Sequence, residues 1–421
     1  MNSWNEIKDL SSKLKGLSTI GLANILGSVI SGLFWLYIAR IIGTTHYGEV
    51  NYLLAIAGIG VLFGYIGSAN TILVYVPKGI KLQSTVYAVA LVASIAIAVV
   101  LFIVFHNIAV STYVIGNVIF GLATSDLLAK KNYRSYFAYF IASKLLTVGL
   151  SLILYHYLGP DGIILGITFS FLPCLVIVYK GFRESKIDFA LLRTRLRFII
   201  NSYILDMTRT FSTTADKLIV GPLLGYAILG NYSLGLQFLS LLTILPGIVY
   251  QYTLPHDASG TSNKKLKQAT ILVSTLFAIL SIFLSPIVLP VLFPKFTAAI
   301  GVIQIVSLGI IPISISNVYI SKFLAKEDSR IVLVGSAIFL GVLIPTIFLL
   351  GKMIGVNGVA AAFVLAQSSE TAYLFFINKY VYKIKSEKMP ETPDIIEKIP
   401  LLNEKKEKFD INEIFKFFIR K

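Results

Sequence analysis

Charge is scarce in this chain and sulfur chemistry is nearly absent from it. Only 14% of the 421 residues are Asp, Glu, Lys or Arg, against about 25% in a soluble globular domain. The sequence holds one cysteine, so a disulfide framework and a cysteine-based metal site are excluded. Cys174, in the apolar run "FLPCLVIVY", reads as a packing residue. There is no Gly-rich phosphate loop and no His/Asp cluster that would supply a general base or hold a catalytic metal. Neither a cofactor nor a metal is expected, and catalysis is not.

What abounds is apolar surface: 56% of residues are hydrophobic and the mean hydropathy is +0.80. A helix crossing hydrocarbon needs roughly 20 apolar residues, so the length accommodates about a dozen spans and a polar tail, with no room for a separate soluble domain. Apolar windows of about 19 residues place spans at 18–41, 49–76, 84–105, 108–127, 134–157 and 161–180 in the first half. The second half has 198–221, 230–253, 268–293, 298–321, 331–351 and 356–378. The second span contains "GYIGSANTILVYV" and is expected to bend. The first 17 residues put Trp4, Ile7, Leu10, Leu14 and Leu17 on one stripe, which predicts an interfacial helix. The apolar segment behind them is too long for the h-region of a signal peptide, and no small-residue cleavage site follows.

Basic residues flank spans on the cytoplasmic side. With the N-terminus inside, all but six of the 37 Lys and Arg fall on inner segments. Arg40, Lys295 and Lys352 are the outer ones, and Lys144, Arg209 and Lys217 lie within spans. This alternation predicts an all-α membrane protein of twelve helices with both termini cytoplasmic. The net charge of +16 then reads as a face toward anionic lipids and not as a nucleic-acid surface. Residues 385–405 have a composition that fits disorder, and "EKFDINEIFKFFIRK" after them reads as a terminal amphipathic helix.

The chain also repeats itself. "IGTTHYGEVNYLLAI" and "LGYAILGNYSLGLQF" align Gly43 and Gly48 with Gly225 and Gly230, while "LGPDGIILG" and "IGVNGVAAA" align Gly159 and Gly162 with Gly355 and Gly358. Both echoes fall at equivalent places in two six-span halves. An even number of spans per half makes the repeats parallel, and substrate sites in such folds lie between the halves. The expected organisation is an N-terminal lobe over 1–182, a basic cytoplasmic link over 183–197, a C-terminal lobe over 198–382 and a basic tail over 383–421.

Span 7, "NSYILDMTRTFSTTADKLIV", carries four charges. At 100° per residue Ser202, Asp206, Arg209, Thr213, Asp216 and Lys217 fall within a sector of about 120°. A charge at mid-bilayer costs about 2.5–3.5 kcal/mol on insertion scales and faces a bundle interior or a wet cavity. Asp206 and Arg209, three residues apart, are alternatively a structural ion pair. Lys144 sits at the centre of span 5 and is expected to face the same cavity. Asn24, Ser28 and Ser31 give span 1 an uncharged stripe that lines the cavity or packs helices. Glu370 in span 12 reads either as a proton or cation site or as the mate of a lysine; with Asp206 it is a candidate for ion coupling. Asp126 reads as a surface partner of Lys130 and Lys131. Buried cations in a shielded space suit a phosphate, and a lipid tail has room to stay in the bilayer while a polar head crosses inside.

The segments "ARIIGTTHYGEVNYLLAI", "DKLIVGPLLGYAILGNYSL", "LFPKFTAAIGVIQIVSLGIIPISISNVYISKFLA" and "IGVNGVAAAFVLAQ" resemble those of polysaccharide-biosynthesis flippases of the O-antigen type, in the multidrug, oligosaccharidyl-lipid and polysaccharide exporter superfamily. The likeness runs over residues 15–380. It implies two six-helix lobes that move an isoprenoid phosphate- or diphosphate-linked glycan from the inner to the outer leaflet of the cell membrane by alternating access, beside glycosyltransferases or a polymerase of the same pathway. Asp216 and Lys217 stand where that family has D-[KR]-x-x-[IL] in span 7, whereas Lys144 and Arg209 match no family pattern. Drug and cation exporters of the superfamily share the architecture but use carboxylates in the first lobe, and span 1 here has none. The lipid II branch has fourteen spans against the twelve counted here.

Overall fold

Hydrocarbon offers the backbone no hydrogen bonds, so a chain this apolar must satisfy its N–H and C=O groups internally. The protein does so with helices alone among the residues described, 3–258, 263–326 and 328–382 of a computed structural model. In the first half α1 (Ser3–Tyr65), α2 (Ser68–Tyr75), α3 (Gln83–Phe105), α4 (Ile108–Ala129), α5 (Tyr133–Leu158), α6 (Pro160–Ser170) and α7 (Leu175–Glu184) follow one another. A short α8 (Phe189–Arg193) lies in the link. The second half runs through α9 (Leu196–Leu224), α10 (Tyr226–Leu242), α11 (Ile244–Ala258), α12 (Lys264–Leu292), α13 (Ala299–Leu308), α14 (Ile310–Ala325), α15 (Ser329–Ile354) and α16 (Val356–Phe376). Met1–Phe375 form one compact unit; the second unit, Phe376–Lys421, is described only over the π-helical turn Ile377–Tyr382. The expected terminal amphipathic helix lies outside the described residues.

Among the described residues nine helical segments are long and apolar enough to cross a membrane, or ten when α10 and α11, bent by 46° to each other, count as one. One of the nine, Ser18–Tyr65, is 48 residues long and breaks at Gly43, giving two passes. The 29-residue α9 has the length of a span but is too polar to count. Adding these two is consistent with twelve. Residues 3–17, for which the sequence suggested an interfacial helix, are helical and continuous with α1. The bend expected in the second span is present as a turn at Ile66 and Gly67, with φ of 45° and 70°.

The repeat is carried in the backbone. Gly43 (φ 78°, ψ −179°) and Gly225 (φ 95°, ψ 156°) make matching breaks before the second helix of each half. Gly159 (φ 62°, ψ −144°) and Gly355 (φ 67°, ψ −138°) do the same before the sixth. Positive φ is open to glycine at no steric cost, which is why these residues recur at fixed places. Burial repeats as well: α3 and α12, third in each half, turn Val92 (68% exposed) and Leu272 (71%) outward, as lipid-facing helices do. α4 and α13–α14, fourth in each half, lie inside, with about half of each apolar window buried.

The halves meet most closely where α1 crosses α10. A Cβ on Gly48 would stand 1.9 Å from the Tyr226 carbonyl oxygen, and one on Gly230 would stand 1.9 Å from that of Thr44. The contact is reciprocal, each helix laying its glycine on the other's backbone. Around it an apolar cluster joins Phe34, Ile38 and Tyr47 of α1 to Leu234 of α10 and to Phe293 and Phe296 of the turn after α12. Tyr47 and Phe296 meet edge to face at 5.9 Å.

Candidate functional site

Between α1 and the α10–α11 bend lies a cavity of about 310 Å³. Its polar walls are Asn24 and Ser28 from α1 and Ser240, Thr243 and Gln251 from the other half. These residues belong to the end of the bundle where α1 and α9 begin, and the apolar cluster around Tyr47 and Phe296 lies toward the opposite end. Asn24 is held in place because its Oδ1 accepts a hydrogen bond from the Tyr136 hydroxyl of α5 at 3.2 Å. The walls carry hydroxyls and amides and no formal charge. Such a lining donates to and accepts from neutral polar groups.

A second contact between the halves lies at the same end. Asn70 of α2 donates to both carboxylate oxygens of Asp206 in α9, at 3.2 and 3.1 Å. Tyr75 packs edge to face on Phe198 at 5.3 Å, and the Arg195 guanidinium lies over the Tyr75 ring at 5.4 Å. This polar and aromatic seam joins α2 to the start of α9. Arg209, one turn beyond Asp206, is exposed, and its side chain makes no hydrogen bond or ion pair among the described residues. Its charge acts on Asp206 and on Tyr250 of α11. The alternative of an Asp206–Arg209 ion pair is not seen among the described residues, and Asp206 is engaged by the other half instead.

The polar stripe of α9 does not face one cavity. At about 1.5 Å per residue the helix is long enough that its neighbours change along its length. Near its far end Asp216 is 3% exposed and accepts from the Tyr232 hydroxyl of α10 at 2.9 Å, while Lys217 Nζ lies 3.3 Å from its other oxygen. Lys217 also donates to the Thr213 carbonyl at 2.8 Å. Asp216, buried, and Lys217, partly exposed, are thus paired with each other and with α10 of the second half, and not with Asn24 or Asn70.

Lys144 sits half-buried on α5 with its ammonium 5.5 Å from the centre of the Phe140 ring. It is not among the walls of the cavity between the halves, and α5 packs on α1, α4 and α6. Glu370 of α16 is buried and accepts from Gln367 Nε2 at 2.9 Å, against Gly335 of α15. Its partner is an amide, not the lysine that one reading expected. Asp126 does pair with Lys130, at 2.7 Å, but it is 1% exposed and Lys130 also reaches Glu184, so the pair is an internal tie between α4 and α7 and not a surface one. Of the residues singled out in the sequence, the structure places Asn24 and Ser28 in the cavity wall and Asp206 and Arg209 beside the α2–α9 seam. Asn70 and Gln251 were missed. Each is a lone amide within an apolar helix, which is the signal that marks Asn24.

No family model matches the chain, and no curated protein matches it. Among solved structures it is similar to the lipid II flippase MurJ in an inward closed conformation, at 12% identity over 88% of this chain and 93% of that one, with a TM-score of 0.74. It is also similar to an inward-facing multidrug-resistance MATE transporter of the MOP superfamily, at 10% identity over 89% and 100%, with a TM-score of 0.61. A third is the bent form of the Vibrio cholerae MATE transporter VcmN, at 14% identity over 90% and 99%, with a TM-score of 0.52. At these identities the likeness is one of fold. The chain is a multi-pass membrane protein with a fold like that of MurJ and the MATE transporters.

Proposed function

We propose that the protein moves a lipid-linked saccharide across a cell membrane by alternating access of the cavity between its halves, with both termini in the cytoplasm. The observation that carries this reading is the cavity itself: a chamber between two repeat-related halves with hydroxyl and amide groups on both walls among apolar ones, and an apolar cluster toward one end. Hydroxyl and amide walls suit the many hydroxyls of a saccharide, and Arg209, exposed near the α2–α9 seam, supplies a cation for an isoprenoid phosphate or diphosphate. The lipid tail stays in the hydrocarbon alongside. The fold shared with a lipid II flippase supports the reading without naming the cargo.

The uncharged cavity walls favour a second reading, export of a neutral or cationic drug, since such a molecule has no use for Arg209. One experiment separates the two. The purified protein is reconstituted in vesicles with a fluorescent isoprenyl-diphosphate saccharide, and movement between leaflets is followed by accessibility to a quencher. Transport is expected, with a loss of about tenfold or more in Arg209→Gln, the scale of a lost charge-assisted contact. Absence of saccharide movement together with drug accumulation in the same vesicles sinks the flippase reading.

A further inference from the structure

A second, charged cleft lies inside the second half, reached along α11 from Gln251 in the wall of the first cavity to Asp257. It has a volume of about 360 Å³ and is walled by Lys264 and Lys267 of α12, Lys322 of α14, Lys326 just beyond it, and Asp257 of α11. Val318, Tyr319 and Ala325 complete it with apolar surface. Among the described residues that wall the cleft, four cations face one carboxylate. That carboxylate is also the floor of the cleft: Asp257 accepts from Lys267 Nζ at 2.8 and 2.5 Å and from the Ser321 hydroxyl at 2.6 Å. The buried Lys267–Asp257 pair fixes α11, α12 and α14 in one arrangement and gives the lysines at the mouth a rigid base.

The chemistry of the helix start points the same way. α12 is 29 residues long, and its first turn carries Lys264, Lys265 and Lys267 with no acidic residue. A helix N-terminus carries partial positive charge and favours anions, so three lysines there oppose the dipole instead of complementing it. The Asn263 side chain accepts from Leu266 N at 3.0 Å and caps one of the free N–H groups; it adds no charge. An anion seated in the cleft against Lys264 and Lys267 offsets both the dipole and these lysines. The apolar part of α12 begins only a turn later, so the cleft stands at the border of hydrocarbon, where basic pockets between helices take phosphorylated headgroups.

We propose that Lys264, Lys322 and Lys326, set on the Lys267–Asp257 pair, form a binding site for a phosphate ester, distinct from the cavity between the halves. The inference does not rest on the identity of the transported molecule. Two sources present that chemistry, a lipid headgroup and a soluble phosphate, and the test distinguishes them. Binding to the full-length protein in neutral detergent is measured by native mass spectrometry or titration, with short-chain phosphatidylglycerol in one arm and inorganic diphosphate in the other. Lys264→Gln with Lys326→Gln removes two exposed charges and leaves the Lys267–Asp257 floor. Binding in at least one arm is expected, weakened about tenfold or more by this pair of substitutions, and the arm that binds identifies the source. Arg134→Gln with Arg330→Gln, exposed basic residues outside the cleft, should leave affinity within about twofold, since the change of net charge is the same and only the site differs. The proposal is overturned by no binding in either arm, by unchanged affinity in the cleft variant, or by an equal loss in the control variant.

Discussion

The charged residues of α9 show that depth in a span and role in a site are separate matters. Asp216 and Asp206 are ten residues apart on one polar stripe, yet one is locked to Lys217 and Tyr232 and the other is held by Asn70 across the seam. Removing one partner of a buried pair leaves an uncompensated charge and costs about 3–5 kcal/mol. Asp216→Ala is therefore expected to lower the unfolding midpoint in detergent steeply, because Lys217 and the Tyr232 hydroxyl lose their acceptor together. Asp206→Ala, at a half-buried position, is expected to shift that midpoint far less while changing transport. Equal shifts for the two variants would show that both carboxylates serve stability alone. The stripe was legible from 100° periodicity; which part of it faced which helix was not, since that depends on neighbours brought from 130 or more residues away.

Among helices, glycine decides how near two backbones come. At the α1–α10 crossing a methyl on Gly48 would overlap the Tyr226 carbonyl oxygen at 1.9 Å, and backbone cannot turn aside as a side chain can. Gly48→Ala is expected to force the halves apart and to destabilise the protein by about 1–3 kcal/mol, the usual cost of overpacking. Gly149→Ala on α5 is the control, for a methyl there meets nothing within 4 Å, and alanine in a helix is favoured over glycine by about 1 kcal/mol. Thermal unfolding of the two variants should move in opposite directions; a neutral Gly48→Ala would mean that the crossing yields freely. At this scale the sequence was informative. The Gly43/Gly225 and Gly159/Gly355 echoes marked the breaks because positive φ is a property that one residue type signals by itself. It was silent on the prolonged α1, since nothing between Ser3 and Gly43 stops a helix, and the amphipathic stripe of the first 17 residues is equally at home at the start of a longer one.

For the whole molecule the question is whether the end holding the polar cavity must open and close. Asn70 and Asp206 join the halves there, and the apolar cluster around Tyr47 and Phe296 joins them toward the other end. If the halves rock about the Gly48–Gly230 crossing, the two junctions cannot both persist through a transport cycle. The scarcity of cysteine makes this directly testable, because Cys174 is 0% exposed and will not react in the folded protein. Asn70→Cys with Asp206→Cys, bridged by a short bifunctional thiol reagent, should hold the α2–α9 seam shut and abolish saccharide movement, while either single variant treated in the same way keeps the rate it has untreated. A reagent with a cleavable bridge should return activity to that of the untreated double variant once reduced. Full transport with the bridge intact would mean that this seam does not part during the cycle, and the moving element would then have to be sought in the bend between α10 and α11, where the wall of the cavity is itself broken by 46°.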